Sequence, residues 1–417
     1  MFVHQSQLRH LLTPDKYCSD QQHRIEAERL FLPAWHFVGT LADLARHGDF
    51  LTLDLADRPV LVRNIHGQIH AFLNVCAHRH CLLTSKPQGS DPDFRCQYHG
   101  WEYTSEGRTA RIPDAPAFRP FDRENAQLHK YRVALCGEAV FVSLAEEGPS
   151  LADYLGPNYE LWATSFAPPF RQAVKWSNDF PCNWKIPVEI SLESYHIPCI
   201  HPETFGDFPD EEDCEHELNE KYTTFRTPDG EDWLRSLGYL GVRLLGSTPT
   251  HQYVHHHTHP NLLFSSMDMY RLALSTVPTS PTTCRQMCWL YTLRGAKPGI
   301  LPALISRLMR RFVAKEAKQI LLEDMSIFAD VQRGMKSSVR RGVLGTREER
   351  VYVFQKFVAD ACSHGESEPR EDAGQGGSHA SDTAINGRSA AGNGSSVDAC
   401  AETCSDACAN GGSLRNS

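Results

Sequence analysis

The chain has 417 residues, 41% of them hydrophobic, enough for a sizeable core in two domains or one large one. Its net charge of −9 argues against a general attraction to nucleic acid, and about half of that excess (eight acidic against three basic residues) lies from His364 onward. No apolar run approaches the ~20 residues of a membrane span, and fourteen cysteines with no secretory leader in Met1–Asp20 point to a reducing, cytoplasmic setting.

From Tyr17 to Trp35, the residues Ile25, Leu30, Phe31 and Trp35 recur loosely at helical spacing among charged neighbours, so segment 1–39 is expected to be an amphipathic N-terminal helix. From Phe50 to Val142 the texture changes to short runs bounded by turns. Val60–Val62 and Ile69–Leu73 flank Asn64-Ile-His-Gly67 as a hairpin, and Val140–Val142 closes a small all-β domain spanning 40–145. Within it stand two couplets, Cys76-Ala-His78 and, seventeen residues on, Cys96-Gln-Tyr-His99. Two thiolates and two neutral imidazoles suit a [2Fe–2S] centre with cysteines on one iron and histidines on the other, at a higher potential than an all-cysteine cluster. A structural zinc site is the alternative, although zinc patterns more often gather the cysteines in one couplet and the histidines in the other.

Segment 146–362 is mixed. A helix is expected from Trp184 to His196, then an irregular acidic loop Asp207–Glu220 and strands at Asn261–Phe264, Leu272–Val277 and Arg285–Leu293. A long amphipathic helix follows from about Pro302 to Met335. Residues 363–417 collapse into Gly, Ser, Ala and Asp with no aromatic residue and are expected to be disordered, leaving Cys400, Cys404 and Cys408 incidental.

Glu189, Glu193 and His196 fall at i, i+4 and i+7, within ~60° of arc on one helical face. On an inward face they need a matching charge; a face turned to solvent is the alternative. Pro198 should end the helix between His196 and His201 and let the second imidazole swing back toward the first. Two imidazoles and one carboxylate make the facial triad of non-haem Fe(II) sites. The carboxylate is expected from Asp324, set in the apolar stripe of Ile320, Leu321, Ile327, Phe328 and Val331, with Glu323 about 100° off it. An aspartate paired with Arg311 or Arg333 is the alternative. His255-His-His257 and His259 precede the Asn261–Phe264 strand and read as pocket lining or surface rather than a third metal site.

Taken with Arg79 and Gly100-Trp101, the couplets resemble the Rieske domain of the aromatic-ring-hydroxylating oxygenases. Respiratory Rieske proteins carry an extra cysteine bonded to one inside the second couplet; here position 98 is Tyr98, so Cys81 has no partner there. Cys182-Asn-Trp-Lys185, Glu193-Ser-Tyr-His196, His201-Pro202, Glu323-Asp324 and Val331-Gln-Arg-Gly334 resemble the catalytic domain of the alpha subunits in the same family. The resemblance covers roughly Tyr17 to Ala361 and implies an α+β chain: an all-β Rieske [2Fe–2S] domain, then a helix-grip (START-like) catalytic domain with an antiparallel sheet. It implies a cluster on Cys76, His78, Cys96 and His99, and Fe(2+) on His196, His201 and Asp324. Glu193 would link the two centres between subunits of a head-to-tail homotrimer. It also implies O2, a small organic substrate and a separate NAD(P)H-dependent reductase, with or without a ferredoxin. No GxGxxG signature stands at a strand–helix junction for the chain to take a hydride itself. Ile190 replaces a common asparagine. Glu193 stands where ring-hydroxylating enzymes usually carry aspartate, and is more like the branch acting on quaternary amines. Ring hydroxylation is therefore the first reading, a quaternary-amine monooxygenase the second, and a Rieske electron carrier the third.

Overall fold

Two antiparallel sheets of seven strands organise the computed structural model, which describes residues 2–363 other than 5, 123, 206, 208, 230–232, 296 and 297. The tail with Cys400, Cys404 and Cys408 lies outside the described residues. The first sheet contains β1 (Trp35–Thr40), β2 (Asp49–Leu55), β3 (Arg58–Ile65), β4 (Gln68–Leu73), β5 (Gln88–Ser90), β6 (Lys130–Cys136) and β7 (Ala139–Ser143), in the order β1-β7-β6-β4-β3-β2-β5. The β3–β4 hairpin turns through His66 and Gly67, at φ 53° and 88°. Successive positive φ values match the right-handed twist of the flanking strands.

The second sheet contains β8 (Phe170–Phe180), β9 (Glu215–Leu218), β10 (Tyr222–Pro228), β11 (Gln252–Thr258), β12 (Leu262–Met267), β13 (Tyr270–Ser280) and β14 (Thr283–Leu293), in the order β8-β14-β13-β12-β11-β10-β9. Both of its faces are covered. On one, Phe264 and Trp289 meet Phe166, Trp162 (on α2, Tyr159–Ser165) and Phe37 of β1, with ring centroids 4.7–6.0 Å apart. This aromatic layer joins the two sheets. Residues alternate across a pleated strand, so Phe180 and Trp176 turn to the opposite face, where Phe328 and Lys318 of the long helix lie against them. The sheet thus grips one long helix, and the fold is the α+β helix-grip arrangement expected.

Four elements depart from expectation: strand β9 lies within the expected acidic loop Asp207–Glu220, and three helices differ. The N-terminal helix is a short α1 (Asp20–Glu26) running into a π turn at Ala27–Phe31, and Trp35 already begins β1, so the first sheet starts inside segment 1–39. Trp35 pairs with Ser143 because its ring is buried and its indole N–H donates to the Pro149 carbonyl. The helix expected over Trp184–His196 stops at Ser191 (α3, Lys185–Ser191). Beyond it, the Glu193 carboxylate accepts the backbone N–H groups of Tyr195 and His196, replacing the helical partners of those amides. The long helix (α4, Ile300–Ser337) overruns Pro302–Met335 by two residues at each end.

Glu189 does not share a face with Glu193 and His196. It turns into a polar knot between the N-terminal segment and α5 (Glu349–Ser363), accepting from the Tyr17 hydroxyl at 2.6 Å and the Gln355 amide at 3.0 Å. Burial pushes its carboxyl up to about 7, with the Tyr17 and Gln355 bonds pulling the other way. A buried acid that holds its proton in the fold loses stability as pH rises, here from its unfolded value of 4.5 to about 7. Glu189→Gln keeps an acceptor for both donors. It should remove that pH dependence and stabilise the chain at pH 8 by on the order of 2 kcal/mol. Urea melts of both proteins at pH 5 and pH 8 check this; equal pH slopes would contradict it.

Candidate metal centres

The two couplets occupy loops built alike. In the first, the Cys76 N–H donates to the Cys81 carbonyl at 2.8 Å and the His80 N–H to the Cys76 carbonyl at 3.1 Å. In the second, Cys96 N–H donates to Trp101 O at 2.8 Å and Gly100 N–H to Cys96 O at 3.1 Å. The fourth residue after each cysteine is left-handed, His80 at φ 58° and Gly100 at φ 71°. Glycine takes that conformation freely, whereas a side chain there costs roughly 1–2 kcal/mol. Each loop folds back on its own cysteine, leaving the sulfur inside and the histidine toward the outside. Cys76 and Cys96 are buried, His78 half-buried and His99 exposed.

The imidazoles of His78 and His99 lie 4.8 Å apart, and His78 stacks on Trp101 at 4.7 Å with 3° between planes. His78 Nδ1 is buried with no hydrogen-bond partner, as fits a nitrogen meant for a metal. Tyr103 was not foreseen from the sequence. Its hydroxyl accepts the Ala77 N–H at 3.1 Å and lies 3.0 Å from Cys76 Sγ, so it donates to a thiolate there. Cys81 is a free thiol against the Leu82 carbonyl. A hydrogen bond to a ligating sulfur stabilises the reduced cluster. Tyr103→Phe should therefore lower its midpoint potential by on the order of 40 mV, the equivalent of one ~1 kcal/mol bond in a one-electron couple. Protein-film voltammetry reads this directly, and an unchanged potential would rule it out.

His196 and His201 flank the one-turn helix Ile197–Ile200, with Pro198 at its start, and their ring centroids lie 5.1 Å apart. Asp324, buried on α4 between Leu321 and Phe328, brings Oδ1 to 2.9 Å from His201 Nε2 and 3.5 Å from His196 Nε2. It pairs with imidazoles, not with Arg311 or Arg333. Each outer ring nitrogen faces its own carboxylate: Glu193 Oε1 is 2.5 Å from His196 Nδ1, and Glu323 Oε2 is 2.7 Å from His201 Nδ1. Such partners fix tautomer and ring orientation at metal-binding histidines. Glu323 was read from the sequence only as lying off the apolar stripe; the signal for it was that a ligating histidine needs an acceptor behind it. Thr204 donates to Glu323 at 3.0 Å and holds it in place.

His196, His201 and Asp324 form the only group among the described residues whose three donor atoms all lie within 4.8 Å of one another. Burial alone would lower the His196 imidazole, but the Asp324 and Glu193 carboxylates raise it to about 9. Burial would likewise raise the Asp324 carboxyl, yet the two imidazoles hold it below its usual range. Three carboxylates around two imidazoles make a site that demands a cation, and the donor set is that of a non-haem ferrous centre.

A Rieske [2Fe-2S] domain model matches residues 34–132, and a ring-hydroxylating alpha subunit catalytic-domain model matches residues 170–364. The chain belongs to the Rieske oxygenase alpha-subunit family. The family's cofactors are a [2Fe–2S] cluster in the first domain and non-haem iron in the second. This alpha subunit is 32% identical over 188 residues to the glycine betaine monooxygenase oxygenase subunit of Pseudomonas aeruginosa (strain UCBPP-PA14), covering 45% of this chain and 44% of that one. It is also 32% identical over 192 residues to the chlorobenzene dioxygenase subunit alpha of Cupriavidus sp. (strain PS12), covering 44% and 42%. These matches span less than half the length of either relative. A crystal structure of the quaternary ammonium Rieske monooxygenase CntA shares the fold, with a TM-score of 0.71, 21% identity and coverage of 84% of this chain and 95% of that one. Among the described residues, no helix is long and apolar enough to cross a membrane.

Proposed function

We propose that this chain is a terminal oxygenase component that uses O2 and externally supplied electrons to hydroxylate a small organic substrate. Cys76, His78, Cys96 and His99 hold the cluster, and His196, His201 and Asp324 hold the iron. When bound, the cluster carries single electrons and the iron activates oxygen. The residues around them orient and insulate: Tyr103 and Trp101 fix Cys76 and His78, and Glu193 and Glu323 keep Nε2 of His196 and His201 turned inward. The electrons come from a separate NAD(P)H-dependent reductase, directly or through a ferredoxin, because this chain carries no dinucleotide signature. An exposed His99 suits contact with another protein. We place it on a neighbouring copy beside Glu193 and the exposed Tyr195, in a head-to-tail homotrimer. A cytoplasmic setting is supported by eleven free cysteines among the described residues.

The observation that carries the reading is the convergence of His196, His201 and Asp324 with a carboxylate behind each imidazole, in the same chain as the couplet loops. A second reading, a quaternary-amine monooxygenase, is supported by Glu193 in place of aspartate and by the similarity to the glycine betaine enzyme. Purified protein should hold three irons per chain, two in the cluster and one mononuclear. The reduced protein should give a [2Fe–2S] resonance of low average g, and oxygen uptake with a generic reductase should respond to an aromatic acid or a quaternary amine. Zinc in place of iron, or a ferredoxin-like resonance, would overturn the cluster assignment. A cluster without mononuclear iron or substrate-dependent uptake would leave an electron carrier.

A further inference from the structure

Arg350, on α5, is a buried cation with no carboxylate in direct ion-pair contact among the described residues. It is 3% exposed, and its guanidinium is anchored entirely by neutral groups. Nε donates to Thr223 Oγ1 of β10 at 3.0 Å, and Nη2 to His255 Nδ1 of β11 at 2.8 Å. Nη1 has no hydrogen-bond partner among the described residues, and none of their carboxylates forms an ion pair with Arg350. Glu349, its neighbour in the chain, acts on it only through space, its Oε2 accepting the Val3 and His4 backbone N–H groups and bonding the His4 ring. His255 can accept from Arg350 only as a neutral imidazole, and burial together with the Arg350 charge keeps it so. A largely buried charge that makes no direct ion pair is a costly arrangement for a fold to hold.

The position of Arg350 suggests why the chain retains it. His255 is in register with Ser265 of β12 and Leu272 of β13, on the sheet face turned toward α4. Tyr253, two residues earlier on β11, shares that face, and its phenol feels both the Arg350 guanidinium and the Asp324 carboxylate. Tyr253 and Tyr270 converge on the Ser265 hydroxyl. This face is therefore polar on the Arg350 side, and Tyr253 stands within electrostatic reach of both Arg350 and the candidate iron ligand Asp324.

We infer that Arg350, with Thr223 and His255 holding it, is the anion subsite of the substrate pocket, and that the substrate is a small molecule carrying one carboxylate. One guanidinium with a free Nη1 edge and neutral neighbours matches a planar monoanion better than a phosphate, which needs more positive charge. The orientation follows: the carboxylate sits at Arg350 and the carbon to be oxidised points to His196, His201 and Asp324. This inference rests on the oxygenase reading for what happens at that carbon, but not for the binding itself.

Calorimetric titration of the holoprotein with two matched pairs, benzoate against benzamide and glycine betaine against choline, tests it without turnover. At least one carboxylate should bind about tenfold or more tighter than its partner, the scale of one charge-assisted hydrogen bond. Arg350→Gln should bring that ratio to near one. Should that variant not fold, Arg350→Lys, which keeps the charge but not the planar fork, should still reduce the ratio severalfold. A ratio near one for both pairs in the unmodified protein, or a ratio unchanged in the variant, overturns the subsite. Oxygen uptake measured in parallel separates the two readings. Carboxylates that bind through Arg350 without uptake would sink the oxygenase reading alone; uptake confined to compounds indifferent to Arg350 would sink the subsite alone.

Discussion

Asp324→Ala should yield a protein with two irons per chain in place of three, an unaltered visible cluster spectrum and no measurable turnover. Asp324 is the one carboxylate placed against the inner nitrogens of both imidazoles, at 2.9 Å and 3.5 Å. Its helical neighbours Leu321 and Phe328 are buried and apolar, so nothing adjacent on that face can replace it. Loss of a direct ligand should exceed the 10–100-fold fall in metal affinity typical of an outer partner. Glu323→Ala supplies that comparison. It removes only the acceptor behind His201 Nδ1, so iron should bind ~10–100-fold more weakly yet still be recoverable at high ferrous concentration. Iron analysis after dialysis, with and without added ferrous ion, separates the two. If Glu323→Ala proves the more damaging, the ligand assignment is reversed.

Glu193→Gln is expected to keep both cofactors and lose the traffic between them. One Glu193 oxygen takes His196 Nδ1 while the other takes two backbone N–H groups, so the carboxylate uses both of its acceptors. Glutamine has one acceptor and one donor; whichever way it turns, either the imidazole or the backbone amides face an N–H. His196 is then misoriented by a fraction of an ångström, which iron binding tolerates within ~10–100-fold. Electron delivery is less forgiving. In the proposed ring of copies, Glu193 stands between His196 and the neighbour's cluster histidine, His78 or His99. Rapid-mixing experiments should show normal reduction of the cluster by the reductase and single-turnover product formation slowed by orders of magnitude. Near-normal single turnover, or full activity in a dissociated monomer, would show that electrons use another route.

The candidate ligands were legible in the sequence because metal-binding sets are short-range patterns of rare residue types. The couplets, Pro198 between two histidines, and a lone aspartate in an apolar stripe each mark a local arrangement that a bound metal would relieve. What stayed hidden depended on partners distant in sequence. Glu189 has the right spacing to join Glu193 and His196, yet Tyr17 and Gln355, from opposite ends of the chain, claim it. The helix expected there fails at Leu192 because a side-chain carboxylate outcompetes backbone carbonyls for two amides, an outcome that periodicity does not register. Arg350 and Tyr103 carry no motif. Their roles emerge only when a strand or a loop places a histidine or a sulfur against them.

The two-sided sheet has a consequence for how such a chain can change. Along β11, odd-numbered residues such as Tyr253 and His255 look toward the gripped helix. The even-numbered His256 faces the aromatic layer beneath Phe264, bonded to Thr224. Tasks that must vary independently are thus allotted by parity, one residue apart. Randomising Tyr253, Ser265, Tyr270 and Leu272 explores new chemistry on one side of the pleat. Phe264 and Ala273, alternate positions on the same strands, and Trp289 on the adjoining β14 keep the joint between the sheets intact. Diversification for new substrates and preservation of inter-domain assembly can therefore proceed on the same strands without trading against each other.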